Sequence, residues 1–151
     1  MKVLLALDTS AIATETIATV QRMFAPNQTQ VVVLSVVGTN ELDVVPSPVL
    51  LASVAQNLAV LEADHVRTHH EIVAQTVKAL RAAGFTASDD VRYGDPRHAI
   101  VEAARTHAAD LVVVGAHDRS AFQRFVSGSV ASHVATHAPC DVLIVRHPHG
   151  E

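Results

Sequence analysis

The chain is poor in the side chains on which several classes of protein depend. It has one cysteine, no tryptophan, one tyrosine and 3% aromatic residues in a length of 151. A single cysteine, Cys140, cannot form an intrachain disulfide, which agrees with a reducing compartment. Few rings and a net charge of -4 leave neither stacking platforms nor a basic surface for a phosphate backbone. We therefore expect no nucleic acid partner.

Long hydrophobic runs are missing as well. The apolar run Val3–Leu7 follows one basic residue, Lys2, and is too short for the central region of a signal peptide. No stretch approaches the ~20 apolar residues that a membrane-spanning helix needs. These features predict a cytoplasmic protein with no membrane role.

The apolar half of the chain consists mainly of alanine and valine, arranged in short runs. Continuous apolar runs rich in β-branched residues indicate strands that are covered on both faces, as in a parallel sheet between helices. The four apolar runs are Val3–Leu7, Val31–Val37, Leu111–Val114 and Val142–Val145. A fifth, more polar segment, Phe85–Tyr93, is predicted to be an edge strand.

Helical patterns fill the gaps between these strands. The first follows Ser10, a candidate N-cap, and is expected to end at Pro26-Asn27. The span 48–83 contains one helix or two, and Asp95-Pro96 begins a helix that runs to about His107. A last helix begins near Gly128-Ser129. Strict alternation predicts a single α/β domain over residues 1–146, an open doubly wound sheet of five mainly parallel strands with helices on both faces, and a polar tail at 147–151.

Two loops of this fold are candidates for a binding site. In open α/β sheets, ligands bind beyond the carboxyl ends of the strands, where the strand order reverses. Gly115 ends a strand without a Cβ, and Gly128-Ser129 offers free amides at a helix N-terminus, where the dipole favours anions. With the cation of Arg119 between them, these residues predict a phosphate-binding loop.

The residues from Leu111 to Arg146 resemble the signature region of the universal stress protein family. The family pattern is Gly, two residues, Gly, nine residues and Gly-Ser; Gly115 and Gly128-Ser129 fill the first and last places. The opening strand with Asp8 and Ser10, and the helix start at Gly94-Asp95-Pro96, are similar too. The resemblance covers the chain except for residues 38–84, and it implies an adenine nucleotide alpha hydrolase-like fold with strand order 3-2-1-4-5.

The resemblance also implies a function and a set of site residues. It implies a homodimeric regulatory protein that binds ATP, with or without magnesium or manganese, and is at most a slow ATPase, since no catalytic base is identifiable. The last strand, Val142–Val145, would pair antiparallel with its copy. By position in the family, Ala6, Leu7 and Val36 would line the adenine slot, Asp8 would bind the ribose, and Gly115, His117, Arg119, Gly128, Ser129 and Val130 would hold the phosphates, with Asp118 and Ser120 in the same loop.

Asp118 departs from the family pattern, because it stands where the second glycine is expected. Aspartate tolerates the left-handed backbone region better than most residues, so the loop shape can persist. Its carboxylate would repel a triphosphate unless Arg119 or a divalent cation neutralised it. The alternative function is therefore a stress-associated dimer of the same fold that binds no nucleotide and acts through protein contacts.

Other chemistry has weaker support in the sequence. A flavodoxin-like carrier would need a longer loop after the first strand, and a response-regulator receiver would need an acidic pair beside Asp8; both are missing. Among the ten histidines, the pairs His65/His69 and His133/His137 have the i,i+4 spacing of metal ligands but no evident third ligand, so we interpret both as solvated helix faces. Cys140 is interpreted as a small buried residue.

Overall fold

A computed structural model describes residues 1–7, 13–38, 48–116 and 130–146. Its five strands form one sheet in the order β3-β2-β1-β4-β5, and every neighbouring pair is parallel. This confirms the predicted fold class and the strand order that the family resemblance implied. The strands are β1 (Lys2–Leu7), β2 (Gln30–Val37), β3 (Thr86–Tyr93), β4 (Leu111–Ala116) and β5 (Asp141–Arg146).

Four helices are described between these strands. The second is a single helix of 35 residues, which answers the open question of whether residues 48–83 form one helix or two. Residues 8–12, with the predicted cap Ser10, and residues 39–47, part of the predicted loop, lie outside the described part of the chain. The helices are α1 (Ala13–Met23), α2 (Pro48–Ala82), α3 (Pro96–Thr106) and α4 (Val130–His137).

The sheet is the middle of three layers. Successive side chains of a strand point to opposite faces, so Val3 and Leu5 pack on the α1 and α2 side, whereas Leu4 packs on the α3 and α4 side. Each of these three side chains is fully buried. The valine-rich runs are therefore continuous because both faces of the central strands are covered.

The ends of the helices follow local backbone chemistry. Asp95 caps α3, because its carboxylate accepts a hydrogen bond of 3.0 Å from the backbone N–H of Arg97, and Pro96 occupies the first turn. α1 ends at Met23, before the predicted end at Pro26. Ala25 is extended, as expected for a residue that precedes proline, and a 3-10 turn over Pro26–Gln28 follows.

α2 ends at a glycine with a backbone that other residues rarely adopt. Gly84 has φ of 94°, and its N–H donates to the carbonyl of Arg81. This left-handed residue stops the helix and turns the chain towards β3. Within the ranges that the structure describes, no helix combines the length and the apolar character needed to cross a membrane.

Candidate functional site

The candidate site lies at the carboxyl ends of β1 and β4, where the order of the strands reverses. From β1 the chain crosses over to β2 on one side, and from β4 it crosses to β5 on the other. Ala6 pairs with Val114 of β4 and with Leu34 of β2. The two crossovers diverge there, and in such sheets ligands usually bind beyond the carboxyl ends of the strands at this reversal.

Three of the predicted site residues belong to one apolar cluster. Ala6, Val36 and Val130 all pack against the core on the α3 and α4 side, and each is half-buried. Deeper in the same strands, Leu4 and Leu34 are completely buried. Burial thus decreases towards the carboxyl edge and leaves apolar surface partly exposed where a planar base could pack.

Leu7 and Gly115 complete the predicted residues that the structure describes. Leu7 is 7% exposed and packs with the cluster on the opposite face of the sheet, between β1 and the α1 and α2 layer. A contact between Leu7 and an adenine ring would therefore come from its backbone. Gly115 is half-buried near the end of β4 and pairs with Val145. The remaining predicted site residues lie outside the described ranges: Asp8, His117, Asp118, Arg119, Ser120, Gly128 and Ser129.

A buried polar pair on the other face of the sheet was missed by the sequence interpretation. His69 of α2 is 5% exposed, and its Nδ1 lies 2.5 Å from the Oγ of Ser35, which is 1% exposed. Its Nε2 lies 3.4 Å from the Nε2 of His65. The expectation of a solvated face for His65 and His69 is therefore wrong. The signal was present, since His69 stands one turn before the buried Val73 and therefore on the same face of α2.

A second polar group lies on the α3 side of the edge strand β3. The Oδ2 of Asp90 is 2.8 Å from the Nε2 of His107 and accepts a hydrogen bond of 2.9 Å from the Nε of Arg92. This group accounts for two of the polar residues of the edge strand, since Asp90 and Arg92 pair with each other and Asp90 pairs with His107 at the end of α3. It joins the strand to the C-terminal end of the helix through polar contacts.

A cleft of about 410 Å³ opens between the end of β3 and α3. Arg92 and Tyr93 line it from the strand, and Glu102 and Arg105 line it from the helix. Its charges are paired, since Arg92 contacts Asp90 and Arg105 lies 4.0 Å from Glu102. The cleft therefore presents no excess of either charge to a ligand.

Cys140 is half-buried and packs against the α3 and α4 side of the core. Burial, and then the nearby carboxylates of Asp141 and Asp110, raise the pKa of its thiol. A raised pKa keeps the thiol protonated at neutral pH, and the thiolate is the reactive form. Cys140 packs against the core as expected of a small apolar side chain, but it is half-buried and not fully buried as predicted.

In the ranges given above, no group of three or more His, Cys, Asp or Glu side chains is arranged to hold a metal ion. The described residues of the candidate site, Ala6, Leu7, Val36, Gly115 and Val130, offer apolar contact and backbone hydrogen bonds.

Known proteins resemble the chain along its whole length. The profile of the Universal stress protein family matches residues 1–146. A universal stress protein of Synechocystis is 27% identical over 150 residues, which cover 97% of each chain. The solved structure of a universal stress protein from Lactobacillus plantarum is 28% identical, with a TM-score of 0.67 and coverage of 97% of each chain.

Some of the similar solved structures hold nucleotides. An Arabidopsis thaliana universal stress protein family protein was determined with AMP bound; it has a TM-score of 0.66 at 17% identity, covering 98% of this chain and 92% of that one. An Archaeoglobus fulgidus universal stress protein was determined with dAMP, at a TM-score of 0.62 and 20% identity over 96% and 97% of the two chains. A further universal stress protein was determined with cAMP, at a TM-score of 0.65 and 23% identity over 96% and 95%.

The profile match spans nearly the whole chain, and the strand order is the one that the family resemblance implied. At these identities the nucleotide-bound structures support the fold alone. The chain belongs to the universal stress protein family.

Proposed function

We propose that this chain binds an adenine nucleotide, ATP first among them, at the carboxyl edge of β1 and β4, and acts as a small regulatory protein. The observation that carries the proposal is the half-buried apolar cluster of Ala6, Val36 and Val130 at the reversal of the strand order. When an adenine ring covers such surface, apolar area is removed from contact with water, and this burial favours binding.

The chemistry of the ligands bound by related proteins supports this choice. AMP, dAMP and cAMP share an adenine base and a phosphate, and each is bound by a universal stress protein of similar fold. In this chain the base would contact the cluster, Asp8 would accept bonds from the ribose, and the segment from Gly115 to Val130 would hold phosphate through backbone amides. These roles of binding and orientation require no catalytic base.

The first experiment asks whether the purified protein carries a nucleotide. Protein prepared without added ligand is denatured, and the released small molecules are separated by chromatography and identified by mass. Calorimetric titration with ATP, alone and with magnesium or manganese, then measures affinity. Absence of released nucleotide together with no binding at millimolar ATP would contradict the proposal and favour the alternative function through protein contacts.

A matched pair of variants places the ligand. Ala6→Leu fills the space above β1 on the α3 and α4 side, and we expect it to weaken ATP binding by about tenfold or more, because an overpacked slot must displace the base. Ala79→Leu makes the same change on the exposed surface of α2 and should leave the affinity unchanged. Equal affinities for both variants would show that the base binds elsewhere.

We also propose that the chain forms a homodimer in which the β5 strands of the two copies pair. We propose that this dimer lies in the cytoplasm. β5 pairs with β4 on one side and forms an edge of the sheet on the other. Its residues Val142, Leu143 and Ile144 are each half-buried, so apolar surface remains at this edge. An exposed strand edge with apolar side chains tends to pair with another strand, and a second copy of β5 would satisfy it. The single cysteine agrees with a reducing compartment.

A further inference from the structure

Three histidine rings lie in contact between α3 and α4. The ring of His133 stacks on that of His137, with centroids 4.1 Å apart and planes inclined by 17°. His98 of α3 meets His133 edge-on at 5.0 Å. His133 is half-buried, and the other two rings are exposed. The two helices therefore touch through imidazole groups, each of which can gain a proton.

Among the described residues, the acids near these rings already have cationic partners. Glu102, which lines the same cleft as His98, lies 4.0 Å from Arg105. Asp95, the acid that acts on His133, is bound to Arg97, whose Nη2 donates to Oδ2 at 2.8 Å and whose Nε donates to Oδ1 at 3.2 Å. The Nδ1 of His137 is 2.9 Å from the carbonyl oxygen of His133. In the part of the chain that the structure describes, no carboxylate forms an ion pair with any of the three rings. Asp95, Arg97 and the rings themselves are the titratable or charged groups that face His133.

We propose that His98, His133 and His137 form a pH-sensitive contact that holds α4 against α3 at neutral pH and weakens in mildly acidic solution. Neutral rings can stack and meet edge to face, as aromatic rings do. Charged rings at the same separations repel one another, and the half-buried position of His133 makes its charge more costly.

The electrostatics of the cluster agree with this proposal. The pKa of His133 is lowered, first by burial, then by His137, His98 and Arg97, while Asp95 opposes these effects weakly. A histidine with a lowered pKa binds fewer protons in the folded chain than in the unfolded chain. Stability is therefore unaffected above the ordinary histidine pKa of 6.5 and falls as the pH drops below it.

The contact would reach the nucleotide through α4. That helix begins at Val130, directly after Gly128 and Ser129 in the sequence, and Val130 packs in the same cluster as Ala6 and Val36. Loosening α4 from α3 would move this end of the helix and so lower nucleotide affinity. This consequence rests on the proposed function, whereas the effect of pH on stability does not.

The first test measures melting temperature against pH in the absence of nucleotide. Wild type, His133→Gln and His98→Gln are compared between pH 8 and 5.5, with His70→Gln as the control, because His70 is an exposed residue of α2 away from the cluster. Between pH 8 and 5.5 we expect the melting temperature of wild type to fall by about 2 °C or more beyond the fall of His133→Gln. The fall of His70→Gln should equal that of wild type.

The variants separate a pH-sensitive contact from simple packing. A packing role would shift the curve of His133→Gln by a constant amount at all pH values, and parallel curves for wild type and both cluster variants would overturn the proposal. If His133→Gln does not fold, His98→Gln decides, since that ring is exposed and its loss opens no cavity.

The second test measures ATP affinity at pH 7.5 and 5.8 in wild type, His98→Gln and His70→Gln. We expect acidification to weaken binding about threefold more in wild type than in His98→Gln. ATP itself changes its ionisation between these pH values, and the His70→Gln control measures how much of the loss comes from that change. An equal loss in all three proteins overturns the link to the nucleotide. Absence of binding at every pH overturns the proposed function alone, and the melting curves still decide the contact.

Discussion

Asp118 is the residue on which the nucleotide proposal depends most. It occupies the place of a motif glycine, and its carboxylate would lie near the phosphates if the family arrangement holds. Two unit charges a few ångströms apart near a surface interact by about 1–4 kcal/mol. Repulsion of this size would lower affinity without abolishing it.

We expect Asp118→Gly to bind ATP more tightly by about fivefold, because it removes the repelling charge and restores the motif. Asp118→Asn, which removes the charge and keeps the side-chain shape, should retain most of the gain. Calorimetric titration with and without magnesium checks both variants. Weaker binding by both, most marked with magnesium present, would mean that the carboxylate holds the cation.

Asp95 contributes to stability at the start of α3. Replacing an N-cap aspartate with alanine costs about 1 kcal/mol of unfolding free energy, so Asp95→Ala should lower the melting temperature by about 2–4 °C. Asp95→Asn should cost less, because asparagine also caps helices. Thermal unfolding followed by circular dichroism measures both; an effect of Asp95→Ala no larger than that of Asp95→Asn would contradict the capping role.

The same carboxylate predicts a pH dependence. The hydrogen bonds from Arg97 lower the pKa of Asp95 to about 2 from its ordinary value of 3.8. The folded chain thus holds fewer protons at this group than the unfolded chain, so its stabilisation is complete above pH 3.8 and is lost as the pH falls towards 2. The advantage of wild type over Asp95→Asn should shrink across that interval, and an advantage independent of pH would argue against it.

At the scale of the element, the alanine-rich composition has a structural cause. Ala103 and Ala104 of α3 are both 0% exposed. Side chains this small let the helix lie close to β1, β2 and β3. The scarcity of aromatic residues belongs to the same architecture, since wide rings would hold the helices away from the sheet.

Ala103→Leu should therefore destabilise the fold. Extra methylene groups in a filled core cost about 1–3 kcal/mol through displaced backbone and strained rotamers. The control is Ala79→Leu, the same change at an exposed position of α2, which should stay within about 0.5 kcal/mol of wild type. Chemical denaturation with urea measures the stability of both variants. Equal midpoints would show that the core around Ala103 can hold a larger side chain without strain.

At the scale of the whole molecule, the apolar edge at β5 predicts the dimer. Light scattering should give a mass of twice the chain's 16.0 kDa. Ile144→Lys should weaken association by about tenfold or more, because a charge on the paired strand must lose its hydration. Met23→Lys, at a residue 54% exposed on α1, is the control.

Folding and association must be measured separately for these variants. Circular dichroism shows whether Ile144→Lys retains its helices, and Leu143→Lys places the charge on the opposite face of β5 as a second probe. A monomeric mass for the wild type at all concentrations would contradict the dimer proposal. The apolar side chains at the edge of β5 would then have to be buried by something other than a second copy.

Much of the fold could be predicted because its signals are local. Runs of valine and leucine mark strands that are covered on both faces, and the Asp95-Pro96 pair marks the start of α3. The Gly128-Ser129 pair predicted the start of the last helix, and α4 begins at Val130. The position of a side chain across the sheet needs more than these signals: Leu7 and Ala6 are neighbours in sequence, yet they pack on opposite faces.

The sequence by itself determined the class of the fold, the order of its elements and the family, because these follow from hydrophobic periodicity, helix caps and the spacing of the motif glycines. Only the tertiary structure decided which histidines are buried and which meet. His69 contacts Ser35 across 34 positions, and His98 meets His133 across the packing of α3 on α4. Such contacts depend on how helices pack on a sheet, and that geometry is set by the whole core rather than by any local run of residues.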